Sequence, residues 1–564
     1  DELLPYLFYL KENTKAPYAS ILKQNIKGKE GLWAYGISGD NPIVLATIKS
    51  MEGIGTLVQR LDAHEYWSYK GLTVDLVILN EEDSIYYQPL FENIREVVYE
   101  RRGNVVDISG GVFIRNINTM PEEDLALFFK WATVIIKTEE GPKISKFTTE
   151  LKPPREYNDK LVEYPKKDII LDLNYYNGYG GFSKDGREYI IKVSKDVNTP
   201  LPWINVLANR DFGSIITELG SGFTWAKNSR ENKLTPWYND PILERPGEII
   251  YLVDDNTGVA WNITSKTTKD NNDYIVAHGT GYTKFYHHSQ GIEQELTVFV
   301  PLDDNIKINL IRLKNDASED RKISLYYYIR PVLGVSDEET ERLLETEMKD
   351  NIFLVKNSTN IEFKDSTIFL GSSEKIKSYT GDRKEFLGIS PDYKNPEGIK
   401  REGLSNKVGF GYNPCAVIKV NIDIPANGEK ELTFLLGEEN DLERGYKLIN
   451  KYKDIQVSKR ALIEVEEFWN KTLSTIQIKT PDNTMNYMMN HWLMYQTIVC
   501  RIWGRAGFYQ VGGAFGARDQ MQDAINAIYH MPDMTRKQIL RNCKHQYREG
   551  DIQHWWHPIP NSEV

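Results

Sequence analysis

The spacing of apolar positions along the 564 residues changes three times, and each change predicts a different kind of element. Residues 1–140 alternate between short β-branched runs and helical patterns. NPIVLATIK (41–49) precedes a helix over GTLVQRLDAHEYW (55–67), and TVDLVIL (73–79) precedes a second helix around 84–101. VVDISGGVFI (105–114) then leads to a third helix, opening at Pro121-Glu122-Glu123-Asp124 and running through LALFFKWATVII. Proline and acids in a first turn suit the free N–H groups and the positive end of the helix dipole. This alternation predicts a small α/β unit.

Residues 141–168 are charged, contain prolines and lack a period, so they read as a linker. From 169 to 437 short strands recur between turn signals: EYIIKV, GEIIYLVDD, GVAWNIT, KFYHHSQGIEQELTVFVP, KINLIRLKN and KISLYYYIRPVLGV. Turns fall at Asp185-Gly186, at 254–258 and at 425–430, which predicts a large antiparallel β-sandwich. The period turns helical again at 438–478 (DLERGYKLINKY, ALIEVEEFWNKTL), read as a helical linker. NTMNYMMNHWLMYQTIV, with Asn483-Thr484 as its cap, opens a further helical region over 479–564.

Composition narrows the function. Charged residues make up 26% and the net charge is −11, a poor start for a generic nucleic-acid binder, which must displace counterions. No apolar run reaches the roughly 18 residues of a membrane span, and DELLPYLFYLKENTK lacks a basic-then-apolar signal pattern. Cys415, Cys500 and Cys543 have no metal-like spacing and are too few for a disulfide framework, so a reducing, cytoplasmic setting is expected; the parent protein remains free to be attached to the inner membrane. Aromatic residues reach 12%, with 33 Tyr and 12 Trp. Flat rings with one polar edge suit either a Tyr-rich sheet core or surfaces that hold sugars.

Candidate chemistry gathers at the C-terminal end. Gly512, Gly513 and Gly516 form a loop whose backbone can approach a ligand closely. Arg518-Asp519 then opens a helix on which Asp519 and Asp523 share a face, able to accept hydroxyls or do acid–base work. Arg501 and Arg505 offer guanidinium forks to an anion. In REGDIQHWWHP, Trp555 and Trp556 stand between His554 and His557, the makings of a sugar-stacking or phosphate-binding lip. The two histidines are three apart but no third ligand accompanies them, so no metal is expected. In the sandwich, GSGFTWAKNSRENKLTPWYNDP (220–241) reads as a long ordered loop over a site.

These strings, with LWAYGISGDNPIVL (32–45), AHEYWSYKGLTVDLVILNE (63–81), TPLPWINVLANRDFG (199–213) and HHSQGIEQELTVFVPLDD (287–304), resemble glycoside hydrolase family 94, the inverting disaccharide and oligosaccharide phosphorylases. Within it they look most like the β-1,2-glucan branch, the cyclic β-1,2-glucan synthases and 1,2-β-oligoglucan phosphorylases. The resemblance implies a β-sandwich, a helical linker and the start of an (α/α)6 barrel. It implies phosphorolysis of β-1,2-glucosidic bonds to α-glucose 1-phosphate, with inorganic phosphate as co-substrate and no cofactor. Phosphate then takes the place of the attacking water of an inverting hydrolase. Arg501 and Asp519 match positions that hold the non-reducing glucosyl unit, and Arg518 accompanies that Asp. The loop around Asn228 and Arg230 would reach the barrel mouth, from its own or a partner subunit, and a homodimer is one expectation. Where cellobiose phosphorylases carry a further Arg in the glycine loop, this chain has Gly513, leaving phosphate to Arg505, Gln510, His554, His557 or groups outside this stretch of sequence. The family's general acid lies in an Asp-Asp motif shortly after the HWWHP string, beyond Val564. Two rival functions are a glucan-binding, chain-length-controlling module of a synthase, and a hydrolase using Asp519 or Asp523 as acid and Asp551 as base.

Overall fold

The computed structural model describes Leu4, Leu7 and residues 18–83, 88–141, 151–154, 171–360, 362–410 and 413–556. The first unit is a four-stranded parallel sheet in the order β3-β2-β1-β4. Its strands are β1 (Ile43–Ile48), β2 (Asp75–Asn80), β3 (Val112–Asn116) and β4 (Val134–Lys137). Helices α1 (Ile54–Tyr69) and α2 (Pro89–Arg102) place Leu57, Leu61, Ile94 and Val98 against Val44, Ala46 and Ile78. On the opposite face α3 (Glu122–Trp131) packs Leu127 and Phe128 against Leu45, Val77 and Ile135. A sheet covered on both sides needs apolar residues at every position, so IVLATI and DLVILN are buried throughout. The third helix stops earlier than its apolar pattern suggests. Ala132 turns extended, and the β-branched Val134-Ile135-Ile136 pair with β1 instead of continuing the helix.

The middle of the chain is a large antiparallel sandwich. A ten-stranded sheet runs from Glu345–Lys349 at one edge to Gly180–Phe182 at the other, with Ile306–Asn315 and Glu429–Glu439 paired inside it. A five-stranded sheet centred on Arg321–Ile329 covers one face. Side chains alternate accordingly: Leu432, Phe434 and Leu436 enter the inter-sheet core, while Leu435 points to the other face. The run KFYHHSQGIEQELTVFVP is two strands, Tyr282–Ser289 and Ile292–Phe299. Gln290 and Gly291 both take positive φ between them, the mark of a two-residue type I′ turn.

The outer face of the large sheet carries helices α4 (Leu442–Tyr452) and α5 (Ile455–Leu473) and a three-stranded meander, Ile204–Ala208, Phe212–Thr217 and Gly222–Ala226. Asp454 opens α5 by accepting the amides of Gln456 and Val457. Helical turns follow through 483–504, with π-helical segments at Met488–Trp492 and Thr497–Gly504. Their cap is Asp482, one residue before the expected pair, accepting from Thr484 N. Helices α6 (Ala517–Asn526) and α7 (Pro532–Lys544) complete a helical region that closes no barrel among the described residues. No described helix is long and apolar enough to cross a membrane.

Candidate functional site

The helix of 483–504 ends in a π-helical turn and hands over to Arg505, which holds a left-handed backbone at φ 46°. Such a conformation costs a non-glycine residue energy and tends to mark functional turns. The chain then loops through Gly512 and Gly513 and forms a short strand, Phe515–Gly516, which pairs with Trp555–Trp556. That pairing sets Trp555 opposite Gly516, and the Ala517 amide donates to the His554 carbonyl at 3.1 Å. Helix α6 starts here, with Gln520 returning its side chain to the Gly516 amide.

These elements enclose a cleft of about 1360 Å³. Arg501, Arg505, Gln510, Arg518, Asp519, His554 and Trp555 all line it. The indole of Trp555 is half-exposed at the rim, and Asp519 is open, with Arg518 Nη2 3.5 Å from its carboxylate. Arg501 is held by Asp523, Nε to Oδ2 at 3.0 Å, so the second carboxylate of the α6 face orients a guanidinium. Arg505 donates to the Gly513 carbonyl at 3.2 Å and lies over the Phe515 ring. Burial, with the like charge of Arg541 added, pulls its guanidinium down to about 9.

Other candidates lie elsewhere. Trp556 is buried on the far side of its strand, stacked on His545 at 3.9 Å and facing Phe515. Its role is to fix the strand that presents Trp555. Asp551 is exposed and is not among the cleft-lining residues, and His557 lies outside the described residues. Asn228 and Arg230 do not line the cleft but brace its glycine loop from the same chain. The Asn228 side chain donates to the Gly513 carbonyl at 3.2 Å, and Trp237 Nε1 donates to the Phe508 carbonyl at 2.7 Å. Gln522, one turn on from Asp519, lines the cleft as well. Sequence reasoning passed over Asn526 and Ile552, which also line it. Asn526 belongs to the exposed turns of an ordinary amphipathic helix and carries no motif. Among the described residues no group of three His, Cys, Asp or Glu is placed to hold a metal.

A sandwich clamped onto a helical region, with a polar cleft rimmed by an exposed tryptophan, is the build of a carbohydrate-active enzyme. Comparison with known families makes this specific. Residues 187–455 match the supersandwich domain of glycosyl hydrolase 94, and residues 468–563 match the catalytic domain of the glycosyl hydrolase 94 superfamily. The chain belongs to glycoside hydrolase family 94. It is 30% identical to the cyclic β-(1,2)-glucan synthase NdvB of Rhizobium meliloti over 99% of its own length and 20% of that protein. It is 29% identical to an N,N'-diacetylchitobiose phosphorylase of Vibrio proteolyticus, covering 67% of this chain and 48% of that one. With a solabiose phosphorylase of Paenibacillus borealis the identity is 24%, over 68% and 50%. The chain thus spans a fifth of the synthase and about half of the phosphorylases it matches.

Proposed function

We propose that this chain is part of an inverting phosphorylase of β-1,2-linked glucooligosaccharides, which transfers a glucosyl unit to phosphate and releases α-glucose 1-phosphate. The observation that carries this reading is the convergence of Arg501, Asp519, Gln510, His554 and Trp555 on one cleft in a family whose matched relatives include phosphorylases. Asp519 and Arg501 take the hydroxyls of the non-reducing glucose, and Trp555 stacks on a sugar face. Arg505 and His554 meet the anion. The β-1,2 linkage is supported by the match to NdvB, which runs through the N-terminal α/β unit as well.

That same match favours a second reading, a glucan-binding, chain-length-controlling module of a β-1,2-glucan synthase. Incubating the full-length protein with β-1,2-glucan, with and without phosphate, separates the two. Glucose 1-phosphate formed only with phosphate is the expected result. Binding without product would establish the module, and free sugar without phosphate would establish a hydrolase.

A further inference from the structure

Behind the glycine loop, on the other side of Arg505, lies a second cleft of about 650 Å³ between the sandwich turn at 210–211 and helix α7. The molecule carries a net charge of −11, yet Arg210, Arg505, Lys537 and Arg541 all line this cleft. Among the described residues none of these four has a carboxylate within ion-pair distance. Asp211, whose charge reaches Arg541, is the only acid among the described lining residues, and Lys227, the remaining cation, is already paired with Glu438. Two of the guanidiniums crowd the same ring: Arg505 Cζ is 4.0 Å and Arg541 Cζ 4.4 Å from the centroid of Phe515. Trp503, also in the lining and only 8% exposed, has an indole N–H with no acceptor.

Like charges held this close repel, and a desolvated donor without an acceptor costs free energy. One tetrahedral oxyanion supplies what is missing: negative charge, and several acceptors for guanidinium forks. We propose that this second cleft binds a phosphate-class oxyanion, held by Arg505, Arg541, Lys537 and Arg210, at a site separate from the sugar cleft but sharing Arg505 with it. The shared chemistry is the phosphoryl group, whether of inorganic phosphate or of a sugar phosphate. The site stands apart from the catalytic reading, since it requires binding and not turnover.

The test is calorimetric titration of the full chain with inorganic phosphate, and separately with glucose 1-phosphate, at constant ionic strength. Saturable phosphate binding is expected, weakened roughly tenfold to a hundredfold in Arg541→Gln and in Lys537→Gln and largely retained in Arg541→Lys. Asp519→Asn should bind phosphate as the wild type does. Equal affinity for glucose 1-phosphate would place a phosphoryl ester in the cleft, and much weaker affinity would place free phosphate there. Both variants binding as wild type, or no saturable binding at all, overturns the proposal. So does loss of phosphate binding in His554→Gln with Arg541→Gln unaffected, which would move the anion to the sugar cleft. Failure to form glucose 1-phosphate from glucan would sink the catalytic reading and leave these affinities unaffected.

Discussion

At Gly513 the backbone takes φ 62°, and a β-carbon there would stand 2.2 Å from Asn228 Oδ1 and 2.9 Å from Arg230 Cβ. Only glycine fits a left-handed position pressed against another segment. The sandwich loop fills the space that a side chain at 513 would need. Gly513→Ala should therefore cost about 1–3 kcal/mol in urea unfolding and displace the cleft wall. Asp519→Asn, by contrast, changes an open carboxylate and no packing, so the unfolding curve should be unchanged while glycosyl transfer falls steeply. Near-normal turnover in that variant would remove Asp519 from the site. A different residue sets a pH dependence. Glu218 is buried, accepting from Thr199 Oγ1 and from the Trp203 amide at 2.8 Å, and burial pushes its carboxyl from 4.5 up to about 7. Between those values the folded chain binds a proton that the unfolded chain has released. Its stabilisation is full below about 4.5 and is lost as pH rises through about 7. Unfolding measured at pH 5 and pH 8 should show Glu218→Gln gaining on the wild type by roughly 1–3 kcal/mol; parallel behaviour would contradict the shift.

Elements were legible where the signal is local. Residues 43–48 and 75–80 read as strands because a doubly covered sheet writes continuous apolar runs. The two strands inside KFYHHSQGIEQELTVFVP merged in the sequence because a two-residue turn leaves almost no polar break. The end of α3 was missed because Val134-Ile135-Ile136 fits a helical stripe as well as a strand. The candidate cleft was legible to the extent that its arginines, glycines and tryptophan fall within some 55 residues of chain. The brace from Asn228 was not, since 285 residues separate it from Gly513, and nothing in the amphipathic α7 distinguishes Arg541. What seats the helical region on the sandwich is equally non-local. Tyr495 is fully buried at the junction, its hydroxyl accepting from the Gly281 amide at 3.0 Å and donating to the Val206 carbonyl at 2.8 Å. Tyr495→Phe keeps the ring and orphans both partners, so a loss of about 1–3 kcal/mol is expected in denaturant unfolding. An unchanged midpoint would mean that the hydroxyl adds nothing and that Tyr495 holds the junction through its ring contacts with Trp469 and Trp492.

Across the whole molecule, the described residues join the α/β unit to the sandwich by one apolar plug and a few polar contacts. Phe410, at the end of a sandwich loop anchored by Thr346 to Gly409, enters the core formed by Leu32, Leu127 and Phe128. Lys130 lies over its ring at 4.5 Å, and burial pulls that ammonium down to about 8. The surrounding contacts include a Lys23–Glu345 ion pair at 3.0 Å, with the lysine exposed, and hydrogen bonds from Ser358 to the Asn25 carbonyl and from Arg342 to the Thr133 hydroxyl. An exposed pair contributes little, so the aromatic plug dominates the coupling between the two units. Removing it leaves a cavity in the core of the smaller unit, a cost of about 3–5 kcal/mol that falls on that unit and not on the sandwich. Calorimetry of Phe410→Ala should then resolve the α/β unit melting ahead of the sandwich, where the wild type melts with the two coupled. A single transition at the wild-type temperature would show that the polar contacts are enough to bind the two units together.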